Sequence, residues 1–130
     1  MPLMEILVQI HSWLRWVVLV GLIGSIVLAF VRHGSSTAWT DGADRPYSLA
    51  AVAVDIQIAL GIVVWLGTQA WSGNAFFGFV HPVAMLAAVG VIHAGLGRAR
   101  KATTGRPHLV VAISYLAGLI LVLAGIPWFR

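Results

Sequence analysis

Four apolar stretches, 6–31, 47–71, 75–97 and 108–128, run along the chain, divided by three short polar segments. Each is near the roughly 20 residues that a helix needs to cross about 30 Å of hydrocarbon. The first is longer than a crossing requires, and 6–12 reads as an interfacial turn before the helix enters the membrane. The second is introduced by Asp44-Arg45-Pro46, where Asp44 suits a helix cap and Pro46 an early helical position. In the third, Pro82 either kinks the helix or marks its first turn, because proline has no N–H and its ring crowds the preceding turn. The fourth stops at Gly125-Ile126-Pro127.

The separators are a polar loop at 32–45 rich in Ser, Thr, Gly and Asp, a tight Ser-Gly-Asn turn at 72–74, and a short basic loop at 97–107. Connections this short make successive helices antiparallel neighbours. The expected fold is therefore all-α, an integral membrane up-down-up-down four-helix bundle forming a single domain over 1–130. No internal repeat or low-complexity tract interrupts it.

Composition removes the soluble alternative. Hydrophobic residues make up 60% of the 130 and charged residues 9%, more apolar surface than a globule of this size can hide. Lipid is the expected solvent. The absence of cysteine excludes disulfides, thiolate metal sites and covalent c-type haem attachment. The N-terminus opens Met-Pro-Leu-Met-Glu with no basic stretch and no small-residue cleavage site after the apolar run, so that run reads as a retained span and not a signal peptide.

The net charge of +4 does not point to nucleic acid, because the cations sit beside the spans with no soluble domain to carry them. Arg32, Arg45, Arg98, Arg100, Lys101 and Arg106 fall at one side of the bundle, while Arg15 and Arg130 fall towards the other. Cationic loops stay cytoplasmic, so both termini are expected outside. Trp13, Trp16, Trp71 and Trp128 then form an outer aromatic belt, with Trp39 in the inner loop.

Five histidines stand out in this background. An ionisable side chain within a bilayer is expensive and is a functional hypothesis by default. Depth sorts them into an outer pair, His11 with His81, and an inner group, His93 with His108 or His33. His81 and His93 are twelve residues apart on one helix, about 18 Å along it and roughly 120° around it. They face different neighbours, which suits one haem on each side of the third helix. A haem needs an axial imidazole and a slot beside small residues. Gly90, Ala94 and Gly97 flank His93, and Gly21 and Gly24 lie on the first helix.

Arg15 lies four positions after His11 and so on the same helix face. It either pairs with a haem propionate or snorkels to the outer headgroups. Asp55, several residues into the second span, must be protonated, paired or wet. It either orients a ligand histidine, joins His93 in a proton relay, or faces the inner headgroups. Ser114 and Tyr115 read as interhelical hydrogen-bonding residues. A phosphate-binding Gly loop, a His-Glu-x-x-His zinc signature and a Gly-x-Ser-x-Gly nucleophile turn are all missing. Small multidrug transporters share the size and helix count, but their deep acidic residue in the first helix has no counterpart beyond Glu5 at the edge.

Four motifs carry a family likeness: His11-Ser12-Trp13-Leu14-Arg15-Trp16, His81-Pro82-Val83-Ala84-Met85, His93-Ala94-Gly95-Leu96-Gly97-Arg98, and Ala124-Gly125-Ile126-Pro127-Trp128. Together they span nearly the whole chain. It resembles small four-helix bacterial integral membrane proteins labelled cytochrome b-like. The resemblance implies haem b, one or two per chain, held by the histidines matching His11 and His81, with His93 as a further candidate. One departure is Asp55, where some relatives have a histidine. The resulting expectation is an electron-transfer protein or subunit of the bacterial inner membrane, working with a quinone or a membrane redox partner, alone, as a homo-oligomer or within a larger complex. A cofactor-free accessory subunit and a pigment-binding protein are the alternatives.

Overall fold

The computed structural model describes residues 2–101 and 105–126. Four α-helices follow in chain order: α1 (Pro2–Gly34), α2 (Asp41–Gly67), α3 (His81–Arg100) and α4 (Pro107–Ala124). Among the described residues there is no strand. A 3-10 turn (Ala70–Ser72) and a π turn (Phe76–Val80) lie between α2 and α3. Each of α1, α2 and α4, and the continuous segment Phe76–Arg100, is long and apolar enough to cross a membrane. α1 packs on α2 and α4, and α3 on the same two, so α1 and α3 are diagonal partners, as are α2 and α4.

Local chemistry explains most helix ends, with three departures from expectation. α2 begins earlier than 47 and is capped by Thr40, whose Oγ1 accepts from the Ala43 N–H at 3.0 Å; Asp44 lies in the first turn and holds Arg100 at 2.6 Å. A side-chain oxygen one residue before the helix reaches the otherwise unpaired N–H groups of its first turn, which Asp44 cannot do from inside. α1 is unbroken from Pro2, about 50 Å long at 1.5 Å per residue. The expected interfacial turn at 6–12 is helical because its residues satisfy the backbone as well as those that follow.

α2 stops at Gly67, short of 71, and Gln69 adopts a left-handed conformation (φ 51°) that turns the chain towards α3. Pro82 sits in the first turn of α3 and the widened π turn precedes it. Lacking an N–H, Pro82 cannot serve the carbonyl four residues back, that of Gly78. The Trp65 indole N–H donates to that carbonyl at 3.0 Å.

The two halves of the bundle are packed differently. At the end that gathers Arg32, Arg45, Arg98, Arg100, Lys101 and Arg106, the basic end, the core is dense with Leu22, Tyr47, Ile92, Leu96, Val111 and Tyr115. Glycines let the helices close there: a Cβ on Gly118 would stand 2.6 Å from Ile92 Cγ1, and one on Gly95 would overlap Ser114. At the other end, the aromatic end, α1 before Val18, α2 after Val54 and α3 before Ala88 supply no fully buried side chain among the described residues. Outward-facing Trp13, Val20, Val27, Leu49, Val83 and Ile120 are more than half exposed, a surface suited to lipid. The expected belt residues Trp13, Trp16 and Trp71 are exposed at the aromatic end; Trp128 and Arg130 lie outside the described residues.

Overpacking a closed helix crossing costs about 1–3 kcal/mol. Gly118→Leu is therefore expected to lower the thermal unfolding midpoint of the detergent-solubilised protein, followed by far-ultraviolet circular dichroism. Gly24→Leu, at a position where a Cβ meets nothing within 4 Å, is expected to leave it near the wild-type value.

Candidate functional site

The under-packed aromatic end brings together His11 of α1 and His81 of α3. Their ring centroids are 6.2 Å apart with planes at 88°. The two imidazoles thus meet across the α1–α3 diagonal, as expected from their depth.

A glycine makes room at each histidine, and the His81 ring also meets a carbonyl. Gly61 of α2 admits His11, since a Cβ there would come within 3.1 Å of His11 Cε1. Gln57 Nε2 donates to the His11 carbonyl at 2.7 Å and pins α1 to α2 at that level. His81 Nδ1 lies 2.7 Å from the Gly125 carbonyl, a helix-terminal acceptor that α4 cannot satisfy itself. An imidazole beside a carbonyl donates, so Nδ1 carries the proton and Nε2 keeps its lone pair. Gly125 is needed for this approach, because a Cβ would stand 2.7 Å from Met85 Cε and 2.8 Å from Ala84 Cβ. The Phe76 and Phe77 rings lie 6.5 and 6.2 Å from His81.

Three buried polar atoms at this end have no hydrogen-bond partner: His11 Nδ1, Arg15 Nε and Gln57 Oε1. Arg15 stacks its guanidinium over Trp16, 5.0 Å from the ring centre. The two carboxylate ion pairs among the described residues use His93 and Arg100, so Arg15 is a cation without a carboxylate partner.

The basic end holds the other candidates, in an arrangement different from the expected inner pair. His93 Nε2 and Asp55 Oδ1 are 2.6 Å apart, joining α3 to α2. His108 is buried, with the Tyr47 hydroxyl 2.8 Å from its Nδ1 and Trp39 over its ring at 5.1 Å. The Tyr115 hydroxyl donates to the Tyr47 carbonyl at 2.7 Å, so α2 and α4 are tied twice across the second diagonal. His93 and His108 are therefore held by two different residues of α2, Asp55 and Tyr47, and are not paired with each other. Trp39 lies over Tyr47 as well, and Arg32 donates to the Ala43 carbonyl at 2.6 Å while lying over the Tyr47 ring. His33 lies in the last turn of α1, close enough to His108 to interact with it electrostatically.

Asp55 is thus within hydrogen-bonding reach of a histidine, one of the arrangements expected for it. Gly90 and Gly97 beside His93 are open, with nothing within 4 Å of an added Cβ. Gly21 packs against Ala50, and Gly24 is open. Sequence reading missed Gly61, Gly125 and Trp65, whose roles depend on which helix faces which. Among the described residues no three His, Cys, Asp or Glu side chains converge to hold a bare metal ion.

No protein-family model, no curated protein and no solved structure matches this chain. The likeness to cytochrome b-like proteins rests on the four motifs alone.

Proposed function

We propose that the protein binds one b-type haem at the aromatic end, held by His11 and His81, and works as a membrane electron-transfer protein or subunit. The observation that carries this is the outer pair itself: two imidazoles from diagonal helices, 6.2 Å between ring centres, at the end where α1, α2 and α3 bury no side chain among the described residues. Two imidazoles facing each other across the bundle would hold the iron of such a group. The Gly125 carbonyl fixes the His81 tautomer and makes Nε2 a better ligand, as outer-shell acceptors do for metal-bound histidines.

The unpartnered atoms support the same group. A half-buried arginine whose Nε is covered and unpartnered favours an anion beside it, and a haem propionate would supply one for Arg15 within one helical turn of His11. When bound, a b-type haem exchanges single electrons between its ferric and ferrous states. The chain's part is to ligate the iron, hold the propionate and exclude water. The basic-end groups take other roles: His108 is a structural tie to Tyr47, and Asp55 engages His93. We further infer a bacterial inner-membrane location with the basic loops cytoplasmic and both termini outside, and a quinone or membrane redox enzyme as the electron partner.

The test is an oxidised and dithionite-reduced absorption spectrum of protein purified from haem-replete cells, with a pyridine haemochrome assay against protein concentration. Bands that sharpen on reduction, with about one haem per chain, are expected. A colourless preparation overturns the proposal in favour of a cofactor-free accessory subunit, and a green one in favour of a chlorophyll-like pigment. His11→Ala and His81→Ala are each expected to abolish the haem or make it high-spin, whereas His93→Ala leaves stoichiometry and spectrum unchanged.

Arg15→Gln is expected to retain the haem and shift its midpoint potential negative, because a cation near the iron favours the state with the extra electron. A potential equal to wild type in a redox titration would remove Arg15 from the site.

A further inference from the structure

The Asp55–His93 pair is on the outside of the bundle. Its side chains are 44% and 48% exposed, and His93 lies seven residues, about 10 Å, inside Arg100 at the basic end. The Asp44–Arg100 ion pair marks the polar boundary of that end. The Asp–His pair therefore opens onto the hydrocarbon, where a half-covered pair of ionisable groups is expensive.

The surroundings of the pair are asymmetric. On α3, Gly90 and Gly97 lie three residues before and four after His93, on the same face, and both are hollows with nothing within 4 Å. A glycine that packs against nothing weakens its helix relative to alanine and gains nothing from lipid. On α2 the face beside Asp55 is bulky: Val52 and Ile56 are about half exposed. One helix supplies a base and hollows, its neighbour an acid and apolar knobs.

We propose that this α2/α3 face is the contact between two copies of the chain, related by a two-fold axis along the membrane normal. Membrane topology holds both copies the same way up, so the axis lays α2 of one copy against α3 of the other, and the reverse. Asp55 then meets the partner's His93 while His93 meets the partner's Asp55. The two Asp–His dipoles run tangentially to the axis, so the rotation makes them antiparallel, the attractive arrangement. The same rotation presents Val52 and Ile56 to the hollows on the partner's α3, and small residues let helices approach closely in lipid. Both halves of the fit lie on one chain, which selects a second copy over an unrelated protein and gives a closed dimer. This interface uses neither His11 nor His81 and stands whether or not haem binds.

The chain has no cysteine, which makes the test clean. Val52→Cys and Gly97→Cys copies carrying different tags, co-expressed and oxidised in native membranes, are expected to form a mixed disulfide in excess of either like-with-like product. The wild-type protein in lipid nanodiscs is expected to have the mass of two chains. Gly90→Leu is expected to shift it to one chain, weakening association at least tenfold, with helix content and unfolding midpoint unchanged. Gly24→Leu, open but on α1, keeps the dimer. A one-chain mass together with no mixed disulfide overturns the proposal, as does equal loss of association in Gly24→Leu.

Discussion

In a lipid solvent a polar group that finds no partner within the protein finds none at all, and this constraint organises the bundle. Helices satisfy their own backbones, so the informative places are where a helix cannot: its ends, its prolines and its polar side chains. At several such places a specific side chain arrives. Thr40 serves the first turn of α2, the Trp65 indole serves the carbonyl left over by Pro82, and the His81 ring serves the terminal carbonyl of α4. Helix positions follow from these obligations as much as from apolar packing.

The two diagonals of the bundle meet the constraint differently. Between α2 and α4 it is met by hydroxyls: Tyr115 closes on the Tyr47 carbonyl, Tyr47 on His108, and the surrounding core is dense. Between α1 and α3 it is left open, with His11, Arg15 and Gln57 each keeping a buried unpartnered atom beside the two facing imidazoles. His108 Nε2 is also buried without a partner in the first half, so what sets the second half apart is that a cation, an amide and an imidazole keep such atoms side by side. The proposed group, with metal-binding and anionic parts, would relieve the imidazole and the guanidinium together, which no single water does.

The helices and their order were legible because twenty-residue apolar runs and short loops allow one arrangement, and the depth of each histidine followed from counting residues. That reasoning placed His11 against His81 and Asp55 within reach of His93. It failed where an angular position or a partner distant in sequence decides. Tyr47 and His108 are 61 residues apart, and nothing in either helix marks which tyrosine faces the ring. Gly61 and Gly125 look like any other membrane glycine until the helix opposite is known. Asp44 resembled a cap because the polar loop offers several caps, and only the backbone geometry selects Thr40.

α3 gathers these threads. His81 and His93 stand roughly 120° apart on its surface, one turned to the bundle interior and one to the lipid side beside α2. Its glycines divide the same way: Gly95 is filled by Ser114 from α4, while Gly90 and Gly97 are empty. Such a helix cannot show the single apolar stripe of a surface helix. Two polar faces on one short helix mean two neighbours to recognise, and the interior face is already committed to α4 through the Gly125 carbonyl. The remaining face has a base, bonded to the acid of α2, and two hollows, with no covering element among the described residues, and it is on this face that the proposed second copy would complete the helix.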